Sequence, residues 1–116
     1  MTTLNRRISP RRALETRVVF EDEFNEEFLA FTSKDISLSG IFLRTPLLLR
    51  PGTHVRIKFS LGFDEPAIRT GAVVSRRAMR KRGPGRKSPF DEGLGLKFLG
   101  LDPIALARIE RFLSGE

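Results

Sequence analysis

The sequence contains no cysteine, no tryptophan and no tyrosine, and it has a single histidine among 116 residues. Without cysteine, disulfides and thiolate metal sites are excluded. No apolar run approaches the roughly 18 residues that a membrane-spanning helix needs. The N-terminus is rich in arginine, whereas a secretory signal has an apolar core. We therefore expect a cytoplasmic protein without membrane insertion.

The residues that metal sites and active sites need are also scarce. The one histidine, His54, lies on the charged face of a predicted strand, and neither cysteine nor a second histidine exists to share a metal with it. The acidic residues 21–27 lack the glycine and the ligand spacing of a calcium loop. No nucleophile stands beside a recognisable base. We expect no metal, no cofactor and no catalytic residues, and hence not an enzyme.

Positive charge is abundant. Lysine and arginine exceed the acidic residues and give a formal net charge of +7, which indicates an anionic partner: nucleic acid, nucleotide, membrane surface or acidic protein. The basic residues concentrate before the first predicted strand and again in residues 76–87, where seven of twelve are arginine or lysine. Charge alone does not choose among these partners.

Short runs of β-branched and alternating apolar residues predict about six strands. The clearest run is residues 53–61, in which apolar and basic side chains alternate with a period of two, so that one face is buried and the other solvated. The other predicted strands span residues 18–21, 27–32, 40–45, 69–77 and 93–98. Gly71 is predicted to mark a bulge or bend. The last strand places Gly93 and Gly95 on one face, which indicates a close approach to its backbone.

One amphipathic helix is predicted at the C-terminus, over residues 103–114. Asp102 suits its N-cap and Pro103 its first position. Residues 78–91 break the strand pattern and predict a mobile basic loop. The sequence thus predicts one all-β domain, a small antiparallel barrel over residues 13–116 with a C-terminal helix, preceded by a flexible basic arm over residues 1–12.

Two short motifs stand out on this scaffold. The first is 6-RRISPR-11, before the first strand, and the second is 35-DISLSG-40, in a predicted turn. Together they resemble the PilZ domain family, whose members carry RRxxxR on an N-terminal arm and (D/N)xSxxG at a strand turn. The ending GLGLKF, followed by a short helix, is also similar to that family, so the resemblance covers essentially the whole chain. It implies a six-stranded antiparallel β-barrel with a C-terminal helix.

The resemblance also implies a ligand, the bacterial second messenger cyclic di-GMP. A guanidinium group can donate two hydrogen bonds to guanine O6 and N7, and it can grip a phosphate bidentately. By resemblance the arginines would contact guanine and phosphate, and Asp35 would accept from guanine N–H groups. Ser37 would bond to the ligand or hold the turn, and Gly40 would permit close approach. The implied ligand-binding residues are Arg6, Arg7, Arg11, Asp35, Ser37, Gly40 and Gly95.

A second arginine cluster, 11-RRALETR-17, competes for the motif. Its gap before the third arginine is four residues instead of three, and Arg17 adjoins the first predicted strand. We therefore assign the motif to Arg6, Arg7 and Arg11. Because Arg6 adjoins Arg7, we also hypothesise that the site holds two intercalated ligand molecules, which together carry four phosphate charges.

Three functions remain in competition. The leading interpretation is a cyclic di-GMP receptor whose arm closes over the ligand and presents a new surface to a protein partner. That partner would belong to flagellar, pilus, polysaccharide or regulatory machinery. The second is a small basic barrel that binds single-stranded nucleic acid, against which stands the lack of tyrosine and tryptophan. The third is a PilZ-type adaptor independent of nucleotide, against which stand the retained arginines.

Overall fold

The computed structural model describes residues 10–47, 49–79 and 92–115. Within these ranges the chain forms seven strands and one helix. Their bounds are β1 Arg12–Ala13, β2 Arg17–Glu21, β3 Glu27–Ile36, β4 Gly40–Arg44, β5 His54–Phe59, β6 Ile68–Met79, β7 Glu92–Leu99 and α1 Pro103–Leu113. The predicted class, all-β with one C-terminal helix, is confirmed.

The six longer strands form a closed ring of antiparallel pairs. Following the hydrogen bonds, β3 pairs with β2, then come β5, β6, β7 and β4, and β4 pairs again with β3. The two-residue strand β1 is additional and pairs with the C-terminal end of β3. The expectation of six strands was therefore wrong by one short strand, which lies partly in the segment assigned to the arm.

The core fills the inside of this ring. Alternate residues of β5 and β7 point inward, as their period of two predicts, and α1 adds Ala105 and Ile109 to the same cluster. The fully buried large side chains of this core are Val18, Phe20, Ile36, Ile41, Leu43, Ile57, Val74, Leu94, Leu96 and Ile109. Removing this apolar surface from water is the main stabilising contribution to the ring.

Helix α1 begins where its capping residues predict. Asp102 is extended at the N-cap and its side-chain Oδ1 accepts a hydrogen bond from the Ala105 N–H at 2.7 Å, with Pro103 following it. The helix ends at Leu113, one residue before the predicted end, because Ser114 serves as the C-cap. In the part of the chain that the structure describes, no helix has the length and apolarity to cross a membrane.

Strand β3 is four residues longer than predicted, and β1 exists because of this extension. Ser33 is fully buried, although it is polar, and its hydroxyl donates to the Leu14 carbonyl and accepts from the Thr16 N–H at 3.0 Å. The Leu14 N–H in turn donates to the Lys34 carbonyl at 3.0 Å. A serine that satisfies its hydroxyl inside the fold breaks the hydrophobic alternation, which is why the pattern underestimates this strand.

Strand β6 also departs from the expectations. Gly71 pairs regularly with Arg56 and Leu99, and the irregularity lies instead between Val74 and Arg76. The strand runs on to Met79, so the first two residues of the predicted loop 78–91 belong to it. Residues 80–91 of that loop, and residues 1–9 of the predicted arm, lie outside the described residues.

Candidate ligand-binding site

The two motifs that stand apart in the sequence are in contact in the structure. The Arg11 guanidinium donates from Nε to Asp35 Oδ1 at 2.8 Å, and its Nη2 lies 2.7 Å from the same oxygen. Its Nη1 donates to Ser37 Oγ at 3.3 Å. One arginine of the arm therefore engages two of the three polar residues of the DISLSG motif, Asp35 and Ser37.

Strand β1 is what places Arg11 there. Arg12 pairs with Ile36 and Ala13 pairs with Asp35, and Leu14 anchors this segment in the core with 8% of its surface exposed. Arg11 precedes β1 and so reaches the β3–β4 turn. The ion pair is half open to solvent, with Arg11 at 44% and Asp35 at 24% side-chain exposure. Both groups can thus be reached from solution.

Ser37 holds the turn between β3 and β4. The residue is fully buried, and its Oγ accepts from the N–H groups of Ser39 at 3.2 Å and Gly40 at 3.3 Å. Its own N–H donates to the Gly40 carbonyl at 2.8 Å. Of the two roles foreseen for Ser37, holding the turn is observed, and a bond to a ligand stays a prediction.

Gly40 is needed for the packing of β4 against β7. A Cβ atom at this position would lie 2.1 Å from the carbonyl oxygen of Leu96, a backbone atom that cannot move aside. The close approach expected at Gly40 therefore has a structural cause within the chain. A further role toward a ligand stays a prediction.

Gly95 lies in one row with Asp35 across three strands. Asp35 pairs with Phe42, and Phe42 pairs with Gly95. Directly paired residues project to the same side of a sheet, so this row brings Gly95 to the face of the sheet that carries Asp35. The close approach expected along the glycines of β7 is seen at Gly93, where a Cβ would lie 2.1 Å from the Phe42 ring.

A basic depression of about 350 Å³ lies beside the Arg11–Asp35 pair. Four cationic and two anionic side chains line it, so its net charge is positive and it suits an anion. One pair within it, Arg44 with Glu15, is joined at 3.0 Å. The lining residues are Arg11, Arg12, Ala13, Glu15, Lys34, Asp35 and Arg44.

Sequence reasoning did not single out Lys34, Arg44 or Phe42 as site residues. Lys34 precedes Asp35 directly, and its Nζ lies 5.9 Å from the centre of the Phe42 ring. Arg44 closes the strand GIFLR that follows the motif. All three lie within four residues of the motif, but their position beside Asp35 becomes visible only once the strand register is known.

Arg12 has a different partner from its neighbour Arg11. Its guanidinium donates to the Phe112 carbonyl and lies 4.3 Å from the centre of the Phe112 ring. A cation at the last turn of a helix satisfies free carbonyl groups and complements the helix dipole. Arg12 thus joins β1 to the end of α1.

Of the remaining arginines in the two clusters, Arg17 is the one that the structure describes. Arg17 begins β2 and pairs with Thr32. Arg11 belongs to both arginine clusters, so the assignment of the motif to Arg6, Arg7 and Arg11 stays a prediction. Arg6 and Arg7 lie outside the described residues. Within the described ranges no group of three or more histidine, aspartate or glutamate side chains is placed to hold a metal ion.

The chain belongs to the PilZ domain family, whose model matches residues 5–115. Among solved structures, it is similar to Escherichia coli YcgR in complex with c-di-GMP, with a TM-score of 0.70 and 19% identity, covering 94% of this chain and 45% of that chain. It is also similar to Bacillus subtilis MotI/DgrA, an inhibitor of motility, with a TM-score of 0.70 and 20% identity, covering 92% and 49%.

The PilZ domain of E. coli YcgR with c-di-GMP is similar over nearly its whole length, with a TM-score of 0.67 and 20% identity, covering 94% of this chain and 89% of that one. The chain thus spans less than half the length of the complete YcgR and MotI/DgrA chains. At these identities the likeness shows the fold. No curated protein sequence matches the chain.

Proposed function

We propose that this PilZ domain is a non-enzymatic receptor for cyclic di-GMP that acts in the cytoplasm and relays the bound state to a partner protein. The observation that carries the proposal is the Arg11 guanidinium, which joins Asp35 and Ser37 across more than twenty residues of sequence. The similar YcgR structures were solved with that ligand, which supports the same ligand class here.

The chemistry of the pair suits a guanine nucleotide. Both contacts of Arg11 with Asp35 use Oδ1, and among the described residues Asp35 Oδ2 accepts no hydrogen bond. Oδ2 is therefore available for guanine N–H groups. The solvent-facing guanidinium can turn from Oδ1 toward guanine O6 and N7 or toward a phosphate, all of which it can bind bidentately.

The other proposed contacts surround this pair. Arg6 and Arg7 would bind phosphate and guanine from the arm, and the basic depression beside Asp35 would attract the phosphates. Gly95, in the row of Asp35, would allow the ligand close to the sheet, and Gly40 and Ser37 would fix the turn beneath it. Ordering the arm costs conformational entropy, so each arginine contact should weigh heavily on affinity.

The proposed signal is closure of the arm over the ligand. A ligand shifts such an equilibrium only by its differential affinity for the closed state, and the closed arm would present a new surface to the partner. The partner class remains open among flagellar, pilus, polysaccharide and regulatory machinery.

Calorimetric titration of the full chain with cyclic di-GMP tests the proposal, with GTP, cyclic GMP and a short single-stranded oligonucleotide as controls. We expect saturable binding of cyclic di-GMP alone. Absence of binding at high micromolar concentration would refute the receptor function. Binding of the oligonucleotide instead, with a steep salt dependence, would favour the nucleic-acid alternative.

The stoichiometry of the same titration tests the two-molecule hypothesis. We expect two nucleotides per chain at saturation, because Arg6 beside Arg7 adds a second charge for the four phosphates of an intercalated dimer. A value of one nucleotide per chain at saturating concentration contradicts this part and leaves the receptor function standing.

A matched pair of variants tests the assignment of the motif. Arg11→Ala should weaken cyclic di-GMP binding by about 10- to 100-fold, since hydrogen bonds to charged groups contribute about 1.5–3 kcal/mol. Arg17→Ala removes an equal charge from the exposed start of β2 and should lower affinity only modestly. If Arg17→Ala were the more damaging change, the motif register would be wrong.

A further inference from the structure

The N-terminal half of β3 has an open edge. Residues 27–32 pair with β2 on one side, but on the other side β4 pairs with β3 only from Thr32 onward. Among the described strands none pairs with the second edge of residues 27–31. An unpaired edge presents a row of backbone N–H and C=O groups to solvent.

The strand alternation shows which backbone groups face outward. The Ser33 N–H donates to the Thr16 carbonyl at 2.9 Å, so Ser33 directs its backbone toward the β1–β2 side. In an antiparallel pair this direction alternates, so Phe31 faces β2 and Ala30 faces the open edge. Among the described residues, no strand pairs with the N–H and C=O of Ala30, and these groups can bind an added strand.

Residues 27–31 of this edge contain one charged side chain, Glu27, and no proline. Exposed edges are usually blunted by charge or proline within the strand, yet here Phe28 is 58% and Leu29 is 39% exposed. Phe24, in the turn of the same hairpin, is 74% exposed. Three of the seven large exposed apolar side chains of the described residues thus lie on one hairpin, which is typical of a protein-binding surface.

The charge around this edge is opposite to that of the whole chain. The hairpin turn carries Asp22, Glu23 and Glu26, whereas the chain has a net charge of +7. Glu23 and Glu26 form no salt bridge with any described residue and both are exposed. Asp22 is occupied within the turn, where its Oδ1 accepts from the N–H groups of Phe24 and Glu26.

We propose that this edge binds an extended, basic segment of a partner protein as an added strand. Main-chain hydrogen bonds at Ala30 would supply the pairing, apolar side chains of the segment would cover Phe28 and Leu29, and its lysine or arginine residues would meet Glu23 and Glu26. Strand addition to an exposed sheet edge is a known mode of peptide recognition. A second copy suits the edge less well, because residues 27–31 contain no basic residue.

A synthetic peptide tests the proposal without knowledge of the natural partner. The probe is a labelled nine-residue peptide of alternating lysine and valine with blocked ends, compared with its glutamate–valine counterpart on the full chain. Fluorescence polarisation should show binding of the basic peptide at least about tenfold tighter than the acidic one, and weaker binding at high salt. Equal binding of the two peptides would overturn the proposal.

The variant Ala30→Pro removes the outward N–H donor. Proline is tolerated on an edge strand where the N–H faces solvent, so the β2 pairing should survive while basic-peptide binding is lost. Retained cyclic di-GMP binding would show that the variant is folded, and thermal melting shows this independently of the ligand. Peptide binding that is unchanged by Ala30→Pro, in a folded variant, would overturn the proposal.

Two further measurements keep the test sharp. The double change Glu23→Lys and Glu26→Lys should weaken the basic peptide by about tenfold or more, whereas Glu110→Lys, an exposed position on α1, should not. In the unaltered chain the peptide should slow amide hydrogen exchange at Ala30. A concentration-dependent dimer that Ala30→Pro abolishes would instead assign the edge to a second copy and contradict the partner proposed here.

Discussion

The two halves of β3 have different neighbours. Its C-terminal half pairs with β4 on one edge and with β1 on the other, and it carries Asp35 of the candidate site. Among the described strands, its N-terminal half pairs only with β2, which leaves one edge unpaired and two apolar side chains exposed. A single strand can thus hold a site rigidly at one end and offer a binding edge at the other, since pairing on both sides determines how firmly each half is held.

The largest loss of stability is expected from a change that keeps β4, the partner of the C-terminal half of β3, from packing against β7. Gly40→Ala would place a Cβ 2.1 Å from the Leu96 carbonyl oxygen, and overpacking against backbone should cost more than about 3 kcal/mol of unfolding free energy. Urea denaturation measures this. The matched change Gly62→Ala meets only the Glu65 side chain, at 3.4 Å, and should be nearly neutral. Equal stability of the two variants would contradict the tight β4–β7 contact.

Shortening one apolar side chain in each half of β3 should reveal different losses of stability. Ile36 is fully buried, so Ile36→Ala should lower the free energy of unfolding by about 3 kcal/mol through lost burial and a cavity. Leu29 is 39% exposed at the open half, so Leu29→Ala should cost less than about 1 kcal/mol. Chemical denaturation of both variants under one set of conditions makes the comparison, and similar losses would mean that the two halves are equally well packed.

A smaller effect is expected where β1 meets α1. Arg12→Ala removes the hydrogen bond to the Phe112 carbonyl and the contact with its ring, and should cost about 1 kcal/mol of stability. Arg12→Lys keeps the positive charge but removes the planar guanidinium group, so it should be more stable than Arg12→Ala and less stable than the unaltered chain. Thermal melting of both, beside Arg17→Ala, checks this. No difference between Arg12→Ala and Arg17→Ala would argue against the contact.

The smallest effect concerns the N-terminal half and depends on pH. The Lys58 ammonium donates a hydrogen bond to Glu27 Oε2 at 2.6 Å. This bond and the positive charge of Lys58 hold the pKa of Glu27 below its usual value of 4.5. A carboxyl whose pKa is lowered by folding stabilises the fold above its unfolded pKa, and this contribution is lost as the pH falls through the folded pKa. Glu27→Gln should therefore be slightly less stable than the unaltered chain at neutral pH and equal to it in strong acid. Melting curves over that range would show it.

The amino-acid pattern predicted the ring strands well and failed where the fold depends on distant partners. Residues 53–61 alternate without interruption, and β5 lies within them. The short strand β1 has no pattern of its own, since it exists through pairing with Asp35 and Ile36. The extension of β3 was missed because buried Ser33 interrupts the hydrophobic period. The bulge in β6 was predicted at Gly71, but the register shift lies between Val74 and Arg76, at Ser75.

Some residues of the candidate site were likewise predictable from the sequence, and others were not. The resemblance to the PilZ family implied that Arg11, Asp35 and Ser37 belong to one site. The structure brings the three into contact, and their role toward a ligand stays a prediction. The partner of Arg12 was not predictable, because Phe112 lies 100 residues away in sequence and no local pattern records such a pair. The additional lining residues Lys34 and Arg44 emerge only when β3, β4 and the segment after β1 are placed side by side.

Arg11 and Arg12 are adjacent, yet one binds the turn at Asp35 and the other binds the end of α1. Consecutive side chains of an extended backbone point to opposite sides, and Leu14 fixes which side each residue takes. The position of each arginine relative to Leu14 therefore matters as much as the number of arginines in the arm. Inserting one residue between Arg12 and Leu14 would move Arg12 into the place from which Arg11 now contacts Asp35. No arginine would then occupy the place from which Arg12 contacts Phe112, so that contact would be lost although no charge had changed.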